Sequence, residues 1–144
     1  MRRFLIVSII MLFAVPALAG DFDRFLGNWH GHGNGTFGKI AGFKDVFMDE
    51  EVVVAEMFLS NGELDYHSRL TCFDAECEYS DSLGKERVYS VTKRHGTLVF
   101  FWSEDGNREV IKWTRHHHGR NFVEMYRGFH DGEFEGYNCK YKLF

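Results

Sequence analysis

The chain has 144 residues, of which 17 are basic and 21 acidic, so its formal net charge is −4. A net acidic chain argues against nucleic acid as the main partner, because phosphate binding requires a net basic face. Aromatic residues make up 17% of the chain and 15 residues are glycine, a composition that excludes both a disordered polypeptide and a coiled coil.

The first 19 residues have the pattern of an export signal. Arg2 and Arg3 provide a basic start, residues 4–15 are almost wholly apolar, and residues 17–19 (Ala-Leu-Ala) form a small-residue cleavage pattern. The apolar run of about 12 residues is too short to span ~30 Å of hydrocarbon, so we expect no stable membrane insertion. We predict a cleaved signal peptide at 1–19 and an exported mature protein, periplasmic in a Gram-negative bacterium and secreted otherwise. Removing the two arginines leaves 15 basic and 21 acidic residues, a net charge of −6.

Strand patterns dominate the mature chain, and only a single turn at 21–26 has the apolar face of a helix. Turn residues separate the strands at short intervals, as at Asn61-Gly62, a pair typical of type I′ hairpins. Such short connections make sequential strands pair antiparallel. Ten strands are predicted, at residues 27–37, 44–48, 52–60, 63–73, 76–81, 87–93, 97–103, 109–115, 121–129 and 133–142.

A flat meander of these strands would expose two edges, and no predicted helix remains to cover a face. Closure into a barrel removes both edges. The only proline, Pro16, lies in the predicted signal, which fits a closed sheet with few places for a residue lacking an N–H group. We therefore predict one all-β domain at 20–144, a single antiparallel up-and-down meander barrel of about 8–10 strands with a short N-terminal helical turn. A two-sheet sandwich is the competing all-β fold.

Three cysteines follow the signal, and an oxidising compartment would permit a disulfide between two of them. Cys72 and Cys77 flank a four-residue hairpin loop, and directly opposed residues of a hairpin have Cβ atoms close to disulfide distance. We predict the Cys72–Cys77 disulfide, with three buried free thiols as the alternative.

Residues 28–37 alternate between polar residues on one face and aromatic residues or glycine on the other. The second face carries Gly31, Gly33 and Gly35 between Trp29 and Phe37. A glycine inside a strand costs about 0.5–1 kcal/mol relative to alanine. Three in register therefore indicate the close approach of another backbone or of a ligand.

Residues 23–29 (Asp-Arg-Phe-Leu-Gly-Asn-Trp) resemble the N-terminal signature of the calycin superfamily, a turn of helix followed by Gly-x-Trp at the start of the first barrel strand. Lipocalins, fatty-acid-binding proteins and nitrobindin-like barrels share this signature, and the Gly-x-Trp-x-Gly-x-Gly-x-Gly of residues 27–35 is most similar to the nitrobindin-like branch. The resemblance implies a basic residue from a late strand packed on Trp29, for which Arg127 is the candidate. Nitrobindin-like haem proteins bind iron through a histidine of the last strand, and residues 133–142 contain none, which argues against haem.

Extending the alternation to the other strands predicts an interior wall rich in aromatic side chains with polar tips. Such a wall is typical of a small-molecule site and also of a packed core. The candidate ligand-binding residues are Trp29, Phe37, Met57, Tyr66, Tyr89, Phe101, Trp113, Met125, Arg127, Tyr137 and Tyr141. Further residues expected on this wall are Leu70, Val91, Ile111 and Val123. The strand at 97–103 is apolar on both faces, so that Val99 and Phe101 compete with Leu98, Phe100 and Trp102.

Five of the eight histidines fall in two groups, His30 with His32 and the run 116–118. Histidine is a common metal ligand, but the first group lies on the polar outer face and the second at a hairpin tip. We therefore expect no metal site. The sequence contains no nucleophile elbow and no convincing catalytic set, so we expect neither enzymatic activity nor a cofactor.

The sequence thus predicts an exported, lipocalin-like protein that holds one small, largely apolar or amphipathic molecule inside its barrel. Selectivity is assigned to Tyr66, Tyr89, Tyr137 and Arg127. Two alternatives stay open: a filled barrel that acts as a protein-binding or envelope-structural module, and, less favoured, a metal- or haem-binding protein. A continuous interior void of about 300 Å³ or more would favour small-molecule binding.

Overall fold

The structure, a computed structural model, describes residues 15–16, 19–115 and 120–143. Most of the predicted signal and the histidine run 116–118 lie outside these described residues. No helix in the described part of the chain is long and apolar enough to cross a bilayer. The elements are β1 (Val15–Pro16), a 3-10 helix (Ala19–Phe25), β2 (Gly27–Gly35), β3 (Gly38–Asp49), β4 (Val52–Ser60), β5 (Asp65–Phe73), β6 (Glu76–Asp81), β7 (Glu86–Arg94), β8 (Thr97–Glu104), β9 (Asn107–Arg115), β10 (Asn121–His130) and β11 (Glu133–Leu143).

Ten strands, β2 to β11, form one closed antiparallel barrel in which neighbours in the chain are neighbours in the sheet. The ring closes where β2 pairs with β11, with Gly33 opposite Cys139. The two residues of β1 pair with Thr92 and Lys93 of β7. The predicted up-and-down meander barrel is confirmed, and the competing two-sheet sandwich is wrong.

The 3-10 helix closes one end of the barrel from inside. Phe22 and Phe25 are each 1% exposed, and their rings meet the ring of Trp113 edge-on or tilted, with centroids 6.3 and 5.6 Å away. Trp29, also 1% exposed, donates a hydrogen bond from Nε1 to the carbonyl oxygen of Phe25 at 2.8 Å. Burial of each phenylalanine contributes about 1.5–3 kcal/mol, so these contacts hold the helix as a plug below the interior.

The predicted Cys72–Cys77 disulfide is confirmed, and it joins β5 to β6 inside the core. The two cysteines are direct partners in the register of these strands. Cys139 remains a buried free thiol, and burial raises its pKa to about 11. A thiol with so high a pKa is almost wholly protonated at neutral pH and is a poor nucleophile.

The glycine face of β2 is explained by the close approach of β11 at the barrel seam. A Cβ atom added at Gly33 would overlap the carbonyl oxygen of Asn138 and come within 2.8 Å of the Cα atom of Cys139. Gly31 and Gly35 face β11 in the same way. Another backbone, rather than a ligand, is therefore what these glycines accommodate.

We expect Gly33→Ala to lower the free energy of unfolding by about 1–3 kcal/mol or more, since the added methyl group meets backbone that cannot move without opening the seam. Urea denaturation followed by tryptophan fluorescence measures this loss. Gly20→Ala is the matched control, because nothing lies within 4 Å of a Cβ atom at that position. Equal stability of the two variants would contradict the explanation.

Candidate functional site: the barrel interior

The barrel encloses a cavity of about 280 Å³. This volume would hold roughly nine water molecules at ~30 Å³ each. It is just under the roughly 300 Å³ of the smallest typical small-molecule sites. It extends to the end of the barrel opposite the helical plug, where the connections β2–β3, β4–β5 and β6–β7 supply Phe37, Leu64 and Leu83 to its rim. All three rim side chains are exposed. The interior is thus neither wide open nor completely filled.

One side of the cavity is apolar. It is formed mainly by inward residues of β3, β4 and β5, which alternate with exposed residues such as Glu56. The side chains on this wall are Ile40, Ala55, Met57, Leu59 and Leu70. A wall of this kind would bury the hydrocarbon part of a ligand at about 25 cal/mol per Å².

The floor of the cavity contains a buried ion pair between Lys44 of β3 and Glu124 of β10, which are 4% and 2% exposed. Glu124 also accepts hydrogen bonds from Trp113 Nε1 at 2.6 Å and from the Tyr137 hydroxyl at 2.7 Å. The Lys44 Nζ atom lies 4.6 Å from the centroid of the Trp113 ring. Every polar atom of the pair therefore has a partner, which is what a buried charge requires.

A second buried carboxylate, Glu109 of β9, lies behind the cavity wall with no solvent exposure. It forms ion pairs with Lys85 and with Arg87, whose Nε atom is 3.2 Å away. The hydroxyls of Tyr89 and Tyr126 donate to it at 2.9 and 2.7 Å. Burial alone would raise the pKa of Glu109, but the hydrogen bonds from Lys85 and Tyr126, the charge of Lys85 and the hydrogen bond from Tyr89 outweigh it and lower the pKa. Glu109 is therefore an anion held by two cations.

A third polar group, near the rim, is centred on Asp81 at the end of β6. Its Oδ2 atom lies 3.0 Å from the hydroxyl of Tyr66 and 3.0 Å from that of Tyr79, and these two hydroxyls also contact each other. Its Oδ1 atom accepts hydrogen bonds from the backbone N–H groups of Leu83 and Lys85. All of these donors are neutral.

The tyrosines of the interior remain protonated. Burial is the main cause that raises the pKa values of Tyr66, Tyr89 and Tyr126. The negative charge of Asp81 adds to the effect on Tyr66, and that of Glu109 adds to the effect on Tyr89 and Tyr126. Burial and Glu124 likewise raise the pKa values of Tyr137 and Tyr141. The phenols consequently serve as hydrogen-bond donors at neutral pH.

Most of the predicted ligand-binding residues do face the interior. Those that line the cavity are Met57, Tyr66, Tyr89, Trp113 and Tyr137, with Phe37 at the rim. Trp29 and Tyr141 are buried in the core, where the Tyr141 hydroxyl lies 3.6 Å from the sulfur of Met57. That any of these residues binds a ligand stays a prediction.

The predicted inward orientation of Phe101, Met125 and Arg127 is wrong. On β8 the inward residues are Leu98 and Phe100, both buried, and Phe101 is 45% exposed. On β10 the inward residues are Phe122, Glu124 and Tyr126, so Val123, Met125 and Arg127 point outward. Glu124 is charged, so the sequence pattern placed it on the outer face. Its partner Lys44 lies 80 residues away in the sequence, and local spacing therefore could not show that the glutamate is paired inside the barrel.

The basic residue that packs on Trp29 is Arg115 of β9, not Arg127. The guanidinium carbon of Arg115 lies 5.4 Å from the centroid of the Trp29 ring. Arg127 instead extends over the outer face, where its Nη1 atom donates to the carbonyl oxygen of Tyr137 at 2.9 Å. The predicted type of contact is present, but a different strand supplies the arginine.

The buried charged residues were the main omission from the predicted site. Glu109 could have been found, because Ile111 and Trp113 on the same strand were expected to face inward and the alternation continues to position 109. Lys44 could have been found by the same alternation, because it shares one face of its strand with Gly42 and Val46, both of which are buried.

One histidine-containing group lies close to the cavity. Ligand atoms of Glu109, His130 and Glu135 lie within 4.8 Å of one another. A metal ion there would have to displace Lys85 and Arg87 from Glu109, since both already form ion pairs with it. This group is therefore explained as part of the buried ion-pair network.

The outer wall has a separate open groove of about 750 Å³ across β2 to β6. Its centre is a cross-strand row of four rings, His30, Phe43, Phe58 and His67, which are partners in register. The centroids of Phe43 and Phe58 are 6.4 Å apart, and Phe43 is 52% exposed.

Comparison of the chain with protein-family models, with curated proteins and with solved structures finds no match, so its function has to be inferred from the geometry above.

Proposed function

We propose that this chain is an exported, calycin-like barrel that binds one small amphipathic molecule in its interior. The observation that carries the proposal is the cavity of about 280 Å³ that reaches one end of a closed barrel. Its wall combines the apolar side of β3–β5 with tyrosine hydroxyls and carboxylates on the other side. That combination of apolar area and few polar groups is characteristic of small-molecule sites.

Two features support the proposal that the chain is exported and calycin-like. The Cys72–Cys77 disulfide fits the oxidising compartment to which the predicted signal would direct the chain. The closed ten-stranded meander with an N-terminal helical plug fits the calycin resemblance of residues 23–29. The ligand is amphipathic rather than largely apolar, because the ion pair of Lys44 and Glu124 forms part of the lining.

Filling the cavity tests the proposal. Ala55 is buried and lines the cavity, so Ala55→Leu is expected to weaken binding at least tenfold by occupying part of the roughly 280 Å³. The probes are 2-phenylethanol and its charged analogues 2-phenylethylamine and phenylacetate. NMR titration follows the methyl group of Met57 and the indole N–H of Trp113, both in the lining.

Ala41→Leu is the matched control, because Ala41 is exposed on the outer face of β3. It is expected to bind the probes as the wild type does. The proposal fails if none of the three probes gives a saturable shift in the wild type, or if Ala55→Leu binds them as well as Ala41→Leu.

A second candidate function is a protein-binding module that uses the outer wall. The exposed ring row of Phe43 and Phe58 in the groove across β2 to β6 favours it. The same titration separates the candidates, since an outer-wall module predicts that interior variants leave its function unchanged and that no probe reaches Met57.

A further inference from the structure

Building on the proposed function, we infer that the natural ligand is a small amine whose ammonium group is held beside Asp81, next to the hydroxyls of Tyr66 and Tyr79. The amine would be primary or secondary, with an apolar part directed toward the wall of Met57 and Leu70. The inference follows from the charge of the cavity, the half-buried position of one of its unneutralised carboxylates, that of Asp81, and the aromatic surroundings of this carboxylate.

The cavity lining has a negative formal charge. Two lysines, Lys44 and Lys85, face four carboxylates, which are those of Asp65, Asp81, Glu124 and Glu135. The balance is −2, and it is unchanged when the pair of Glu109 and Arg87 behind the wall is added. A cavity of this charge attracts cations and repels anions, most strongly where the surrounding protein excludes water.

The excess charge is located near the rim. Lys44 is already paired with Glu124 and Lys85 with Glu109, so among the described residues Asp65, Asp81 and Glu135 are the lining carboxylates without a lysine or arginine partner. Asp65 is exposed to solvent, and Glu135 accepts from the Tyr126 hydroxyl and lies 3.7 Å from His130. Asp81 is half-buried, and within the part of the chain that the structure describes it forms no ion pair. Its two oxygens accept from the Tyr66 and Tyr79 hydroxyls and from two backbone N–H groups, all of them neutral donors. A carboxylate of this kind gains most from a ligand that carries a positive charge.

The surroundings of Asp81 suit an ammonium group. An ammonium group offers three N–H donors and no acceptor, which matches a carboxylate flanked by phenol oxygens. The tyrosine rings add cation–π attraction of about 0.5–2 kcal/mol. Lys85 already shows this contact, since its Nζ atom lies 5.5 Å from the Tyr79 ring and 5.2 Å from the Tyr126 ring. The Tyr79 ring, one of the two tyrosines beside Asp81, thus already accepts an ammonium group from within the chain.

The three probes used above test the inference, because they share one phenyl skeleton and differ in charge. In the wild type, 2-phenylethylamine is expected to bind at least tenfold more tightly than 2-phenylethanol, and phenylacetate more weakly than either. If the alcohol or the carboxylate binds as tightly as the amine, the inference is overturned while the proposed function stands. If no probe binds, both are overturned.

The variant Asp81→Asn tests whether the ammonium group of the ligand lies beside Asp81. The change removes one negative charge with little change in shape, so the amine is expected to lose about tenfold in affinity and the alcohol to keep its affinity. Glu78→Gln is the matched control, because it removes one charge from the exposed outer face of the same strand. Unchanged amine binding in Asp81→Asn, or an equal loss in Glu78→Gln, would contradict the placement. The wild-type comparison among the three probes decides the charge preference even if Asp81→Asn does not fold.

Discussion

Replacing Lys44 with methionine is expected to lower the free energy of unfolding by about 3–5 kcal/mol. The variant leaves the Glu124 carboxylate, 2% exposed, without the one cation that pairs with it among the residues that the structure describes. The hydrogen bonds from Trp113 and Tyr137 remain, but neutral donors compensate a buried charge only in part. A loss of this size is a large share of the roughly 5–15 kcal/mol by which a domain is stable.

The double variant Lys44→Met with Glu124→Gln distinguishes an unpaired charge from lost packing. Glutamine carries no charge, its amide oxygen accepts from the Trp113 indole, and its NH2 group donates to the Tyr137 hydroxyl, which then accepts instead of donating. We therefore expect most of the lost stability to return. Urea denaturation at pH 7 measures all variants. Arg69→Met is the surface control, because the Arg69–Glu56 pair at 3.1 Å is about half exposed and contributes at most about 1 kcal/mol. If the double variant is no more stable than Lys44→Met, the charge is not the cause.

The fold was predictable from the sequence because strand patterns alternate with short turn sequences along the whole mature chain, and closure is the simplest way to remove both edges. Alternation also predicted the correct face of β2, where Trp29 is buried and Asn28 exposed. It failed on β10, where both faces carry large apolar residues. There a single inward glutamate reversed the prediction, since local spacing cannot reveal a partner on β3.

The candidate site was only half predictable for the same reason. Aromatic residues such as Trp113 and Tyr137 follow from period-two spacing, because the interior of a barrel needs bulky side chains. The charges that give the cavity its polarity depend on pairs such as Lys85 with Glu109, which come together only when the β6–β7 connection and β9 meet in the folded barrel. Sequence spacing therefore left a largely apolar and an amphipathic ligand open, and the buried charges are the reason that we propose the amphipathic one.

The barrel is expected to unfold cooperatively in alkali, starting above about pH 10. Tyr89, Tyr126 and Tyr141 are 0%, 8% and 0% exposed, and burial raises the pKa of each in the folded protein. In the unfolded chain the same phenols ionise near pH 10. Above that pH the unfolded state binds fewer protons than the folded state, so stability falls as the pH rises. Burial also raises the pKa values of Tyr66 and Tyr137, so five phenols contribute to this slope. Together they cost about 7 kcal/mol per pH unit, which would unfold a domain of ordinary stability within about one to two pH units.

Tyrosinate absorbance measured together with far-UV circular dichroism checks this expectation. All six tyrosines point into the barrel, so both signals should change in one transition. Tyr89→Phe removes one of the five phenols with a raised pKa and is expected to reduce the pH dependence of stability by about one fifth. Phenylalanine keeps the ring contact with Tyr79, so a change in slope reports the lost hydroxyl rather than lost packing. Ionisation of the tyrosines near pH 10 with the strands still intact would show that water reaches the phenols in the folded barrel, and the cavity would then be open rather than enclosed.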